Sequence, residues 1–163
     1  MRQTRRTPTQ GSVVSVIRPS IECWLVRHTP GGAVVLLLHA PEAPGKRPEI
    51  WQPVSGGIEP GEDARTACCR EVAEETGLTV APGDLVCVID RITIDARPGL
   101  TLEKAVFVAH APEGRIRVEP LEHDNHEWVV TDEVPPRLVW DSHRTTWAAV
   151  AAAIPGIGDP SSP

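Results

Sequence analysis

The 163-residue sequence has no tyrosine, one phenylalanine and one methionine, so its five tryptophans must supply nearly all of its aromatic surface. It also lacks an apolar run long enough to span a bilayer. The longest runs, residues 33–38 and 148–154, fall far short of the roughly 20 residues required. No apolar stretch of signal-peptide type follows the basic start from Met1 to Arg6, which sets the expected location as cytoplasmic. The four cysteines, Cys23, Cys68, Cys69 and Cys87, have no Cys-x-x-Cys spacing, so a zinc knuckle is unsupported. Buried free thiols in a reducing compartment are expected instead. There is no basic excess either: 22 acidic against 16 basic residues give a net charge of -6. That excludes a protein built to coat duplex nucleic acid. It does not exclude an enzyme that handles phosphates through a metal ion.

What is present describes one domain with many loops. The chain is 40% apolar and 23% charged, and its 17 prolines punctuate short runs. Residues 1–11 read as a flexible basic arm, 12–154 as the domain, and 155–163 as a flexible tail. Strand-like runs fall at 13–17, 21–26, 33–38, 85–94, 102–109, 116–118 and 128–130, with a hairpin turn at Pro30-Gly31-Gly32. Two segments read as helix. One covers 63–76, from an Asp63 cap to a stop at Gly77; the other covers 141–154, with its own Asp141 cap and a stop at Pro155. Many strands with two interspersed helices predict an α/β (α+β) fold with a mixed sheet flanked by helices.

Residues 56–78 carry the chemistry. Glu59, Glu62, Asp63, Glu71, Glu74 and Glu75 crowd a Gly-rich turn and the helix after it. Glu71, Glu74 and Glu75 are spaced i, i+3, i+4 and share one helical face. Like charges at that spacing repel, so a cation should repay the repulsion. Gathered carboxylate oxygens suit Mg2+ or Mn2+, commonly held beside substrate phosphates. The small residues Ala64, Ala67 and Cys68 would let a helix face pack close beneath a loop. The turn from Ser55 to Gly61 could present its backbone to a metal–phosphate complex. A merely solvated acidic face explains the charges, but not their clustering around Arg70.

Gly56, then five residues and Glu62, then seven residues and Arg70-Glu71-Val72-Ala73-Glu74-Glu75-Thr76-Gly77-Leu78, resembles the Nudix box at each of its nine fixed positions. The resemblance implies an α/β/α sandwich with a central mixed sheet and a loop–helix–loop motif. It implies hydrolysis of a nucleoside diphosphate linked to another moiety. Glu71, Glu74 and Glu75 would be divalent-metal ligands, with a carbonyl of Ser55 or Gly56 adding another. Arg70 would organise the motif by pairing with Glu59 or Glu62.

A weaker likeness surrounds the box. Trp51-Gln52-Pro53-Val54-Ser55-Gly56-Gly57, Leu121-Glu122-His123 and Leu138-Val139-Trp140-Asp141-Ser142-His143-Arg144 resemble the branch of dihydroneopterin triphosphate and dATP pyrophosphohydrolases. There Glu122 would bind metal or act as base. His123 and His126 have zinc-like spacing without further ligands, and surface positions or substrate contacts are expected for them. Lys46 and Arg47 could reach triphosphate oxygens, with Arg27, Arg91 and Arg144 as rivals. Trp51 could stack on a base, though core packing competes. Trp24, Trp128 and Trp147 are assigned to packing, and Trp140 is left open.

The leading expectation is a Mg2+-dependent pyrophosphohydrolase of a nucleoside triphosphate or pterin triphosphate, with Mn2+ as substitute. Its partner would be a small molecule rather than a nucleic acid duplex or a membrane. Dinucleoside polyphosphates, nucleotide sugars or oxidised nucleotides are alternative substrates, and a non-catalytic nucleotide sensor is the alternative of another class. No motif demands a homodimer, and none forbids it.

Overall fold

In the computed structural model, residues 15–157 are described. The organising element is β1 (Val16–Thr29), whose residues from Ser20 to Val26 are all buried. Alternation sends Ile21, Cys23 and Leu25 into one core and Trp24 and Val26 into another. A strand apolar on both faces needs a layer on each, which makes a three-layer sandwich.

The other elements are β2 (Gly32–Ala40), β3 (Ile50–Gln52), β4 (Val54–Gly57), α1 (Ala64–Thr76), β5 (Val86–Arg97), β6 (Leu100–His110), β7 (Asn125–Val130), α2 (Val134–Arg137) and α3 (Asp141–Ala153). Among the described residues, seven strands form one mixed sheet, ordered β3-β2-β1-β6-β5, with β4 beside β1 and β7 beside β2. The central β1–β6 pair is parallel, and the other pairings are antiparallel. Helix α1 covers one face through Ala67, Cys68 and Val72. Helix α3 covers the other through Val150, followed by Ile154. The expected α+β sandwich is the fold.

Several local expectations change. Residues 13–17 and 21–26 were expected as separate strands, but from Val16 onward they are one. Pro19 does not break it because its carbonyl accepts the Ile58 N–H (3.1 Å) just past the end of β4, where no N–H is needed from the proline. Segments 50–52 and 54–57 are strands despite Pro53, because β2 and β1 supply partners distant in sequence. Residues 116–118 form no strand. Ile116 is instead buried in the α1-side core, and the Arg117 N–H donates to the Thr76 carbonyl (2.8 Å). Ala67 and Cys68 pack on the sheet rather than beneath a loop. Of the four free cysteines, Cys23 and Cys68 are buried, whereas Cys87 is exposed on the edge strand β5.

The helix boundaries are legible in their caps. The Asp63 carboxylate accepts the Thr66 N–H (2.9 Å), and Gly77 ends α1 at φ +72°, a left-handed conformation that glycine adopts without a Cβ clash. In α3, Asp141 is not the cap. Trp140 occupies that position without a side-chain bond, and Asp141 begins the helix and accepts from Arg144 (3.1 Å). Beyond α3 the chain makes a 3-10 turn, Ile154–Gly156, and Ile157 is buried. The expected arm, residues 1–11, and the tail from 158 onward lie outside the described residues. Among the described residues no helix is long and apolar enough to cross a membrane.

Candidate active site

Strand β4 and helix α1 are joined by the turn from Ile58 to Asp63, and Arg70 ties the two together. Its guanidinium donates to both oxygens of Glu62 (3.0 and 2.9 Å), to Glu71 (2.8 Å), to Glu74 (3.2 Å) and to the Gly57 carbonyl (2.9 Å). Glu62 also accepts the Glu59 N–H (3.0 Å), so Glu62 rather than Glu59 is the acidic partner of Arg70. One fork of five donors thus offsets three carboxylates, and Arg70 holds the Glu62 carboxyl below its ordinary range.

Glu71 meets β4 at Gly56. A Cβ added there would stand 2.0 Å from the Glu71 carboxyl carbon, so only glycine fits the observed approach. Glu75 lies one turn further along α1, buried, with the Ser55 N–H donating to it (3.3 Å). Burial pushes the Glu71 carboxyl up against the opposing Arg70 charge, and pushes Glu75 up against the opposing His123. Glu74 is exposed.

The loop before β7 brings Glu122 and His123 to the same place. Ligand atoms of Glu75, Glu122 and His123 lie within 4.8 Å of one another. His123 is only 1% exposed, which overturns its expected surface position. Its Nε2 stands 3.6 Å from Glu75, beyond hydrogen-bond length, and neither ring nitrogen has a hydrogen-bond partner among the described residues. Buried polar atoms without partners, beside carboxylates, fit a site that completes itself with a divalent cation.

A cavity of about 560 Å³ opens beside this cluster, on the α3 side of β1. Ser55, Gly56 and Gly57 form one side, the start of α3 from Trp140 to His143 another, and Ile94, Leu102 and Lys104 contribute from β5 and β6. Under it lies Glu22, fully buried. It accepts from Trp24 Nε1 (2.7 Å), Thr146 Oγ1 (2.5 Å) and Lys104 Nζ (2.8 Å). Burial lowers the pKa of the adjacent His143 to about 4.

This arrangement, with a Gly-rich strand end, a carboxylate helix face and an Arg clamp, coincides with the family assignment. The family model of the NUDIX domain matches residues 16–149. The chain belongs to the Nudix family. It is 33% identical over 166 aligned residues, 90% of each chain, to an RNA pyrophosphohydrolase of Caulobacter vibrioides. An octanoyltransferase of Myxococcus xanthus shares 34% identity over 118 residues, but this chain spans only 32% of that protein. A MutT NUDIX hydrolase from Burkholderia pseudomallei superposes with a TM-score of 0.68 at 26% identity, covering 83% of this chain and 99% of that one. A Nudix hydrolase from M. smegmatis gives 0.67 at 21%, covering 93% and 98%, a likeness of fold. The protein is thus a hydrolase of the Nudix type.

The expected substrate contacts are scattered over this Nudix domain. None of Lys46, Arg47, Trp51, Arg27, Arg91 and Arg144 lines the cavity. Lys46 is exposed in the turn before β3, and Arg47 donates to the Pro41 carbonyl (2.6 Å) and the Glu122 carbonyl (3.5 Å), bracing the Glu122 loop. Trp51 packs against His39, with ring centroids 4.8 Å apart. Arg27 lies over Trp128 and donates to the Pro112 carbonyl (2.9 Å), while Arg144 donates to the Leu138 carbonyl (2.8 Å). Arg91 reaches Glu103 on the neighbouring strand at 3.8 Å. Trp24 packs on Trp147 as expected, and Trp140, 39% exposed, stands beside the cavity.

The cavity's own cations, Arg18 and Lys104, are not among the expected contacts. A signal existed: Glu22 is the one charge in 21–26, and Lys104 alternates with Leu102, Val106 and Val108 on one face of 102–109, a pattern expected of buried opposite charges.

Proposed function

We propose that this protein is a Mg2+-dependent pyrophosphohydrolase that cleaves a nucleoside triphosphate, or a triphosphate of similar shape, to the monophosphate and pyrophosphate. The observation that carries this reading is the convergence of Glu71, Glu75, Glu122 and His123 at the end of β4, beside a cavity in the size range of small-molecule sites, roughly 300–1,000 Å³. Glu71, Glu74 and Glu75 would hold the divalent cation, with the Ser55 or Gly56 carbonyl as a further oxygen ligand. The chemistry that Mg2+, or Mn2+ in its place, would supply there is neutralisation of phosphate oxygens and a lowered pKa for an attacking water.

The chain's own groups do the rest. Arg70 fixes Glu71 and Glu74 in their like-charged cluster through its hydrogen bonds. The Ser55 N–H orients Glu75. Glu122, whose side chain has no hydrogen-bond partner among the described residues, accepts the proton of the attacking water and shares in metal binding. Arg18 packs over Gly57, its Nη2 2.9 Å from where a Cβ would stand, and offers positive charge to phosphates arriving at the loop.

Pyrophosphate and phosphate release across a panel of nucleoside triphosphates, with and without Mg2+, tests the reading. Glu75→Gln is expected to lose at least about a hundredfold in rate while remaining folded. Near-normal turnover of that variant in Mg2+ refutes the assignment. The Caulobacter relative favours a second substrate, the 5′-triphosphate end of RNA. A 5′-triphosphorylated oligonucleotide in the same panel separates the two by kcat/KM.

A further inference from the structure

The floor of the cavity is built more elaborately than phosphate binding needs. Glu22 and Lys104 are both buried, 0% and 4% exposed, and joined at 2.8 Å. Burying such a pair carries a desolvation penalty, and apolar residues would often be as stable there. The pair is held in place from three elements: Trp24 and Glu22 on β1, Lys104 on β6 and Thr146 on α3. Glu22 uses both oxygens on these partners. Lys104 uses one of its three N–H groups on Glu22 and has no other acceptor among the described residues, yet it lines the cavity. The remaining N–H groups are therefore directional donors to whatever enters.

The surroundings say which part of a ligand that is. Phosphates belong at the metal cluster and the Ser55–Gly57 edge. Around Lys104 the walls include Ile94 and Leu102, suited to the face of a flat ring, and Asp141 at the start of α3 borders the same cavity and disfavours a polyphosphate there. Because Glu22 neutralises the lysine charge, what remains at the floor is hydrogen-bond donation rather than net positive field.

Resting on the nucleotide-hydrolase reading above, we propose that Lys104 determines base specificity: its free N–H groups donate to a ring carbonyl oxygen, so that 6-oxopurine nucleotides are favoured over 6-aminopurine ones. A lysine carries no acceptor. An exocyclic amino group would face donor with donor, whereas the 6-oxo oxygen accepts, with N7 as a further acceptor beside it.

The test compares kcat/KM for GTP, ITP and ATP with the full chain in Mg2+, alongside titration of GDP and ADP. GTP and ITP are expected to exceed ATP about tenfold to a hundredfold, the range for a hydrogen bond to a charged donor. ITP separates the 6-oxo group from the 2-amino group, so a preference for GTP that ITP does not share overturns the proposal. Lys104→Met should bring the 6-oxo to 6-amino ratio to near one. Because that change strands Glu22, the Glu22→Gln/Lys104→Met double variant, which leaves no unpaired buried charge, is measured beside it and should show the same collapse. Equal losses on all three nucleotides would make Lys104 a phosphate contact and overturn the proposal. Turnover of GTP and ATP without preference defeats this inference alone. Tighter binding of GDP than ADP without turnover of any triphosphate defeats the hydrolase reading and upholds this one.

Discussion

Gly56→Ala should separate function from folding in this protein. Alanine is compatible with the backbone there, since Gly56 is not among the positive-φ glycines. The new methyl carbon would start 2.0 Å from the Glu71 carboxyl carbon and one of its oxygens, where ordinary contact begins near 3.4 Å. The carboxylate must therefore retreat by about 1.4 Å, away from β4 and from its 2.8 Å bond to Arg70. The atoms that move are the far end of a flexible side chain, so stability should fall by only about 1 kcal/mol, the cost of an off-rotamer side chain. Thermal unfolding reads this as roughly 2–4 °C for a domain of this size. A displacement of about 1 Å in a positioned catalytic group can cost about a hundredfold in rate, and that is the expected loss of kcat in pyrophosphate release under saturating Mg2+. Gly61→Ala is the control. Gly61 has φ +84° with open space around its Cβ position, so alanine there strains the backbone without touching Glu71. Wild-type kcat in Gly56→Ala, or an equal rate loss in Gly61→Ala, refutes the reasoning.

Other measurements address different parts of the site. Arg70→Lys removes the two-pronged contact with Glu62 and leaves three donors where five bonds exist; activity should fall about tenfold to a hundredfold, with a stability loss near 1 kcal/mol because the group is partly exposed. Mg2+ should raise the melting temperature by binding only the folded state, and Glu71→Gln/Glu75→Gln should abolish that rise; an equal rise in the double variant refutes the cation site. His143 has a folded pKa near 4 against an ordinary 6.5, so the unfolded chain binds more protons between those values. Stability should therefore fall as pH drops from about 6.5 toward 4, by on the order of 3 kcal/mol, and chemical denaturation of His143→Gln should lack this component. An unchanged pH slope in that variant would show that His143 does not titrate as described.

Much of the box was legible because its constraints are local. Helical geometry alone puts Glu71, Glu74 and Glu75 on one face, and Asp63 and Gly77 mark the ends of α1 through bonds made within a few residues. The α+β class followed from alternating and helical periods. By contrast, β3 and β4 are short, flank Pro53, and exist as strands only because β2 and β1 lie alongside. Residues 116–118 have strand-like composition but no ladder partner, and use Ile116 to pack below α1. Such outcomes depend on pairings between distant segments, which local propensity does not encode.

The same division runs through the site. The carboxylate motif, Gly56 and the arginine that balances the charges are readable along the chain, since all lie within one loop and helix. Packing between distant segments buries His123 beside Glu75, turns Arg27 and Arg144 onto backbone carbonyls, and fixes where Glu22 and Lys104 meet beneath the cavity. Glu22 and Lys104 are 82 residues apart, brought together by the parallel pairing of β1 with β6. A parallel pair needs a long crossover, so the charges that shape its buried surface cannot be neighbours in the chain.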